Sequence, residues 1–199
     1  MKTHIIPRTN GAPDWDRIPA VSIDCSPWFD PEGIRAQAQI CWDTDALYLR
    51  LCAQEADILA EETGALGMPC VDSCLEFFFC PEPEDGRYFN IEFNMNRCMY
   101  LGFGSDRYAS IRLLPVTENI FGCKTALIPG GWEVTYQVPV SFIRRFFPKF
   151  EMRSGGMMRG NFYKCGENTK VEHYLSWNMI TSEKPDFHRS CDFGTLYFE

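Results

Sequence analysis

The chain has 199 residues, of which 27 are acidic and 19 basic, giving a net charge of −8, and 45% are apolar. That length suits one domain with a substantial core, and the apolar fraction excludes a disordered chain. The acidic balance and the lack of a basic stripe argue against a nucleic-acid partner, and no run of about 18 apolar residues offers a membrane-spanning helix.

The N-terminus, Met1-Lys2-Thr3-His4-Ile5-Ile6-Pro7, has an apolar stretch of two residues and therefore no signal-peptide core. A cytoplasmic location is the resulting expectation. The ten cysteines are then expected to be mostly small buried hydrophobes, without disulfides. No Cys-x-x-Cys pair occurs. Cys70, Cys74 and Cys80 form the tightest cluster, at even spacings that would share one face of a strand.

Period-two alternation dominates the chain and predicts half-buried strands. Residues 34–42 and 46–53 alternate on either side of Asp43-Thr44-Asp45, which predicts a hairpin. Asp72 to Phe79 ends at the turn cluster Pro81-Glu82-Pro83-Glu84-Asp85-Gly86. Arg87 to Asn94 sets Phe89, Ile91 and Phe93 toward a core and Tyr88, Asn90, Glu92 and Asn94 away from it. Further strands are expected at 97–102, 109–114, 121–128, 132–138, 157–164, 172–178 and 194–198. One short helix is expected near 141–147, capped by Ser141 and stopped by Pro148. Many short strands with Gly/Pro turns and almost no helix define an all-β class, an antiparallel β-sandwich of jelly-roll type forming a single domain over 1–199.

The sequence has no G-x-S-x-G, P-loop, H-E-x-x-H or G-x-G-x-x-G motif. His4, in a terminus expected to fray, His173 and His188 are its only histidines, and none neighbours an evident nucleophile. Asn90, Glu92 and Asn94 are poor strand formers on one strand face, where amides and a carboxylate suit hydroxyl recognition. Arg159, Asn161, Tyr163 and Cys165 share one face of the next such strand; Gly160, Phe162 and Lys164 share the other. A sugar-shaped pocket needs an aromatic wall with a few convergent polar groups. Trp42 and Trp132 alternate with core positions, while Trp15 and Trp28 are expected to cover a sheet end. Trp177, near the Arg/Asn/His group, is the expected stacking platform.

Several stretches resemble single-domain proteins similar to family 9 carbohydrate-binding modules. They are Asp72-Ser73-Cys74-Leu75-Glu76-Phe77-Phe78, Tyr88-Phe89-Asn90-Ile91-Glu92-Phe93-Asn94, Gly131-Trp132-Glu133-Val134 with Val138-Pro139, and Arg159 through Gly166, followed by Trp177 and Asp186-Phe187-His188-Arg189. These run in order from Asp14-Trp15 to the end of the chain. The resemblance implies a β-sandwich that grips a terminal sugar between two tryptophans, helped by a Glu, an Arg and an Asn. It maps the Glu to Glu76, the Arg to Arg97 and one tryptophan to Trp177; Cys70 stands where the other tryptophan would. The expected ligand set is therefore Trp177, Glu76, Arg97, Asn94, Arg159, Asn161, Lys164 and His188, with a saccharide as partner. No cofactor is required. The resemblance also brings in structural calcium, for which Asp14, Asp16, Asp43 and Asp45 are candidate loop donors; turn chemistry explains the same aspartates.

Two other readings follow from the same residues. Glu76, Glu92 and Asp186 offer carboxylates for acid–base glycoside hydrolysis. Met157, Met158, Lys164 and His188 offer axial ligands for haem, as in related sandwich domains of the DOMON type, although no C-x-x-C-H attachment motif is present.

Overall fold

A computed structural model of the protein describes residues 1–115 and 119–199. Among the described residues thirteen strands are formed: β1 (Thr3–Ile6), β2 (Ala20–Ile23), β3 (Arg35–Trp42), β4 (Ala46–Gln54), β5 (Cys74–Cys80), β6 (Tyr88–Asn94), β7 (Met99–Gly104), β8 (Ser110–Arg112), β9 (Lys124–Ile128), β10 (Gly131–Pro139), β11 (Met157–Gly166), β12 (His173–Ser176) and β13 (Gly194–Phe198). One sheet runs β1-β13-β11-β5-β6-β7-β8, with β12 also paired to β11; the other runs β2-β3-β4-β10-β9. The expected β-sandwich is the fold observed.

Alternation builds the core between the sheets. Leu75, Phe77 and Phe79 of β5, Phe89, Ile91 and Phe93 of β6 and Phe162 of β11 pack with Trp42, Leu47, Leu49, Leu51 and Trp132 of the facing sheet. Phe77 stacks on Phe79 and Phe162 at ring-centroid distances of 4.9 and 4.8 Å. The β3–β4 hairpin forms where the turn residues predict it. Asp43 Oδ1 accepts from the backbone N–H groups of Asp45 and Ala46 at 2.8 and 3.0 Å, and Trp42 pairs with Leu47.

Three local features differ from the sequence reading. β1 pairs in parallel with β13, whereas only antiparallel pairing was expected, and His4 lies in this strand and not in a frayed end. Such a pairing joins the two ends of the chain and leaves no local pattern. β2 is a second four-residue edge strand that the alternation rule passes over. The helix, α1 (Val140–Ile143), starts one residue early, with Pro139 as its N-cap, so Ser141 lies inside it and caps nothing. The Val140 N–H donates instead to the Asp45 carbonyl at 2.8 Å. Tight turns extend α1 to Phe147, and Phe142 and Phe146 pack on Phe89 at 5.3 and 5.1 Å.

Candidate functional site

The side of the larger sheet turned away from the core carries the polar residues that alternation sets apart. Pairing lines them up across strands. One row reads Tyr163, Glu76, Glu92, Tyr100 over β11, β5, β6 and β7. The next reads Asn161, Phe78, Asn90, Gly102, Arg112 and extends to β8. Most of this face is covered, and Tyr100 and Arg112 are left half-buried at its β7–β8 end. The segment after β12 folds back over it, and a second apolar cluster forms from Phe78, Tyr88, Tyr163, Ile180, Phe187 and Phe193, with Trp28, Cys70 and Tyr174 packed against it. Phe187 stacks on Tyr163 at 4.1 Å.

Two carboxyl groups sit within that cover. Glu76 is 2% exposed and Glu92 5%, and they are directly opposite on neighbouring strands. Glu76 Oε1 accepts from the Cys165 thiol at 2.8 Å, and Glu92 Oε1 accepts from Asn90 Nδ2 at 2.8 Å. Neither has an ion-pair partner among the described residues. Burial pushes the Glu76 carboxyl up to about 7. Glu92 is raised well above the carboxylate range by burial first and the Glu76 charge second. The Asn90 bond and the Arg112 charge act the other way on Glu92. A buried carboxylate without a cation is costly, so such a group holds its proton to higher pH, and carboxyls shifted in this way cluster at functional sites.

The neighbours of this pair are organised for it. A Cβ at Gly102 would fall 1.9 Å from Asn90 Oδ1, so only glycine there lets the amide reach Glu92. Arg112 Nη1 and Nη2 donate to the carbonyls of Leu66 and Gly67 at 3.0 and 2.6 Å. Its guanidinium lies 4.5 Å from the ring centroid of half-buried Tyr100. Arg112 Nε is buried and has no partner among the described residues. On the other flank, the Tyr88 hydroxyl and His188 Nδ1 are 2.9 Å apart, and His188 packs on Phe78 at 5.2 Å. Burial, then the Arg107 charge, lowers His188 to about 4, so the imidazole is neutral at pH 7. Carboxyls, an amide, a guanidinium and a phenol on one patch can donate to and accept from several hydroxyls at once.

The structure brings only part of the expected ligand set to this patch. Glu76 is at its centre and His188 at its edge. Trp177, the expected platform, is 3% exposed and belongs to the apolar core, 5.8 Å from the Phe162 ring. A Cβ at Gly194 would lie 2.5 Å from its Cζ3, so glycine is what admits the indole, and no face remains for a sugar ring. Lys164 is fully buried on the core side, with Nζ 3.1 Å from Glu55 Oε1 and 2.7 Å from His173 Nε2. Glu55 also accepts from Trp132 Nε1 and the Ser73 hydroxyl at 2.6 and 2.9 Å. Asn94 is enclosed and ties down the preceding loop, donating to Asp72 Oδ2 at 2.7 Å and the Glu62 carbonyl at 2.8 Å. Asn161 clasps Asn178, donating to its carbonyl at 3.0 Å and accepting from its N–H at 2.8 Å. Arg159 clamps the carbonyls of Phe193 and Cys191 at 2.6 and 3.1 Å. All four serve the fold.

Arg97 occupies a tight turn at φ +62°, exposed beside a cleft of about 310 Å³ lined by Phe93, Met99, Leu113, Ile120 and Phe121. It also neighbours Lys124 and Thr125 of β9, so it lies at the end of the sandwich and not on the carboxylate face. That cleft is mainly apolar and lacks the polar constellation. No three of Asp14, Asp16, Asp43 and Asp45 converge, and Asp43 is committed to its turn and to the Tyr48 hydroxyl at 2.9 Å. Asp186 forms an ion pair with Arg107 at 3.1 Å. Met158 and Lys164 face the core while His188 lies on the outer side, so neither of them shares a cleft with His188. Arg112 and Tyr100 are the residues that sequence reading passed over. Pairing β7 and β8 as a hairpin through Gly102 would have set Arg112 beside Asn90.

The sandwich belongs to a known class of domain. Carbohydrate-binding family 9 matches residues 10–198, and the chain belongs to that family. A candidate carbohydrate-binding protein from Bacteroides uniformis ATCC 8492 is 29% identical, with a TM-score of 0.84 over 100% of this chain and 99% of its own. A family 9 carbohydrate-binding module from Caldicellulosiruptor kristjanssonii, in complex with glucose, shares the fold at 13% identity and TM-score 0.69, over 100% and 96% of the two chains. The cellotriose complex of such a module from that organism gives 14% and 0.70, over 100% and 94%. A comparison with curated proteins gives no match. No helix among the described residues is long and apolar enough to cross a membrane.

Proposed function

We propose that the protein binds a saccharide without transforming it, on the outer face of the larger sheet, with Glu76 and Glu92 as the central hydroxyl acceptors. Asn90 and Arg112 add flanking donors, and the exposed part of Tyr100 supplies the apolar wall. The observation that carries this reading is the pair of opposed, buried carboxyls with no ion-pair partner among the described residues. Sugar hydroxyls meet such groups with directional bonds, each with a net worth of about 0.5–1.5 kcal/mol, or about 1.5–3 to a charged acceptor. Family membership supports the ligand class, and the glucose and cellotriose complexes of the structural neighbours suggest the first ligands to try.

Calorimetric titration with glucose, cello-oligosaccharides and a broader glycan panel tests this. Saturable binding that weakens at least tenfold in Glu76→Gln is expected. Absence of binding to any saccharide at millimolar concentration overturns the reading. Turnover of aryl glycosides that Glu76→Gln abolishes overturns its non-catalytic part.

A further inference from the structure

The same face holds a second arrangement, which shares Glu76 with the proposed saccharide site. Cys74 and Cys165 are directly opposite on β5 and β11. Glu76 follows Cys74 by two residues, so alternation turns it to the same side. Among the described residues these three are the one group of His, Cys, Asp or Glu side chains whose ligand atoms all lie within 4.8 Å of one another. All are enclosed, at 0% exposure for Cys74 and 2% for Cys165 and Glu76. The Cys165 thiol proton points at Glu76 Oε1, across 2.8 Å. Cys70 lies half-buried against the same cluster, its carbonyl 3.5 Å from Cys165 Sγ.

We propose that Cys74, Cys165 and Glu76 form a three-ligand binding site for a thiophilic divalent cation of the Zn²⁺ or Cd²⁺ class. Two sulfurs and one oxygen are the donor chemistry such ions select, and hard cations such as calcium do not. Bonds of about 2.3 Å to sulfur and 2.0–2.2 Å to oxygen bring tetrahedral ligand atoms to roughly 3.5–4 Å from one another, within the 4.8 Å limit that the three atoms here satisfy. In the metal-free protein a thiol proton takes the place of the cation between sulfur and carboxylate. Binding exchanges protons for metal: Cys74 and Cys165 each release one to solvent, Glu76 releases its own where it is protonated, and no electron is transferred. Burial penalises every one of these anions in isolation, and a shared cation is the partner that reverses the penalty.

The test uses the full chain, kept reduced with a phosphine, titrated with Cd²⁺ alone and followed by thiolate-to-metal charge-transfer absorbance. One equivalent is expected to bind. The band should vanish in Cys165→Ala, bind at least tenfold more weakly in Glu76→Gln, and persist in Cys191→Ala, which removes the exposed thiol. If Cys165→Ala fails to fold by circular dichroism, Cys74→Ala and the near-isosteric Glu76→Gln carry the comparison. No saturable band in the reduced wild type overturns the proposal. So does a band that survives loss of Cys165 or Cys74, or one that disappears with Cys191. No sugar enters the titration, so its failure leaves the saccharide reading standing.

Discussion

Replacing Glu76 with glutamine should stabilise the protein while weakening its hold on a ligand. The glutamine amide keeps the shape and can accept from the Cys165 thiol, but it never carries the charge that this enclosed site resists. Burial raises the folded-state carboxyl from 4.5 to about 7. Between those values the native state holds a proton that the unfolded chain has released, so wild-type stability falls as pH rises through the window and levels off above it. At about 1.4 kcal/mol per tenfold change in proton affinity, the ionised carboxylate costs on the order of 3 kcal/mol at pH 8. The stability difference between Glu76→Gln and wild type should be small near pH 4.5 and grow to about that size by pH 8. Loss of the Glu76 charge also lets Glu92 ionise more easily, which adds to the gain. His173 and His188, both lowered to about 4 chiefly by burial, produce the opposite slope, with stability rising between pH 4 and 6.5. Both proteins share that slope and it cancels in the difference. Urea unfolding at a series of pH values reads the curve. A flat difference, or one in which the variant loses stability with rising pH, refutes the burial argument. At pH 8, saccharide affinity should fall roughly ten- to a hundredfold, the worth of one bond to a charged acceptor.

Three further substitutions separate ligand contacts from architecture. Gly102→Ala drives a methyl into Asn90 Oδ1; it should cost about 1–3 kcal/mol of stability and weaken saccharide binding roughly two- to tenfold by calorimetry, and unchanged affinity would remove Asn90 from the site. Lys164→Met strands Glu55 as an unpaired buried charge and should destabilise by about 3–5 kcal/mol in chemical denaturation, with affinity retained in the folded protein at moderate temperature. A large affinity loss without destabilisation would return Lys164 to the ligand set. Trp177→Phe leaves a void beside Gly194 and should cost about 1–3 kcal/mol with affinity within about twofold of wild type; loss of binding at intact stability would contradict the core assignment of this indole.

The fold was legible because its information is local. Alternation in β4, β6 and β11 assigns each side chain to a face, and Asp43 and the Pro81–Gly86 cluster mark the turns. The same rule already set Lys164 with Phe162 and so toward the core; composition alone had made it a hydroxyl partner. Asn90 and Glu92 drew notice as poor strand formers, and that conflict between propensity and pattern did mark the candidate face. The rest is carried by contacts distant in sequence. Trp177 is core because Gly194 leaves room for it, and Arg112 joins the polar row only through the register of β7 with β6 and β8. The parallel pairing of β1 with β13 joins residues nearly the whole chain apart. The cover of the outer face has no signal in that face's own strands, because it comes from the segment after β12 and from Trp28.

The central claim is tested most directly by mapping where a saccharide binds. Backbone amide chemical shifts of the labelled protein, followed during titration with a binding sugar, should move on β5 to β8, greatest around Glu76, Glu92, Tyr100 and Arg112. Shifts confined to the cleft beside Arg97, or centred on Trp177 with the carboxylate row unmoved, would contradict it.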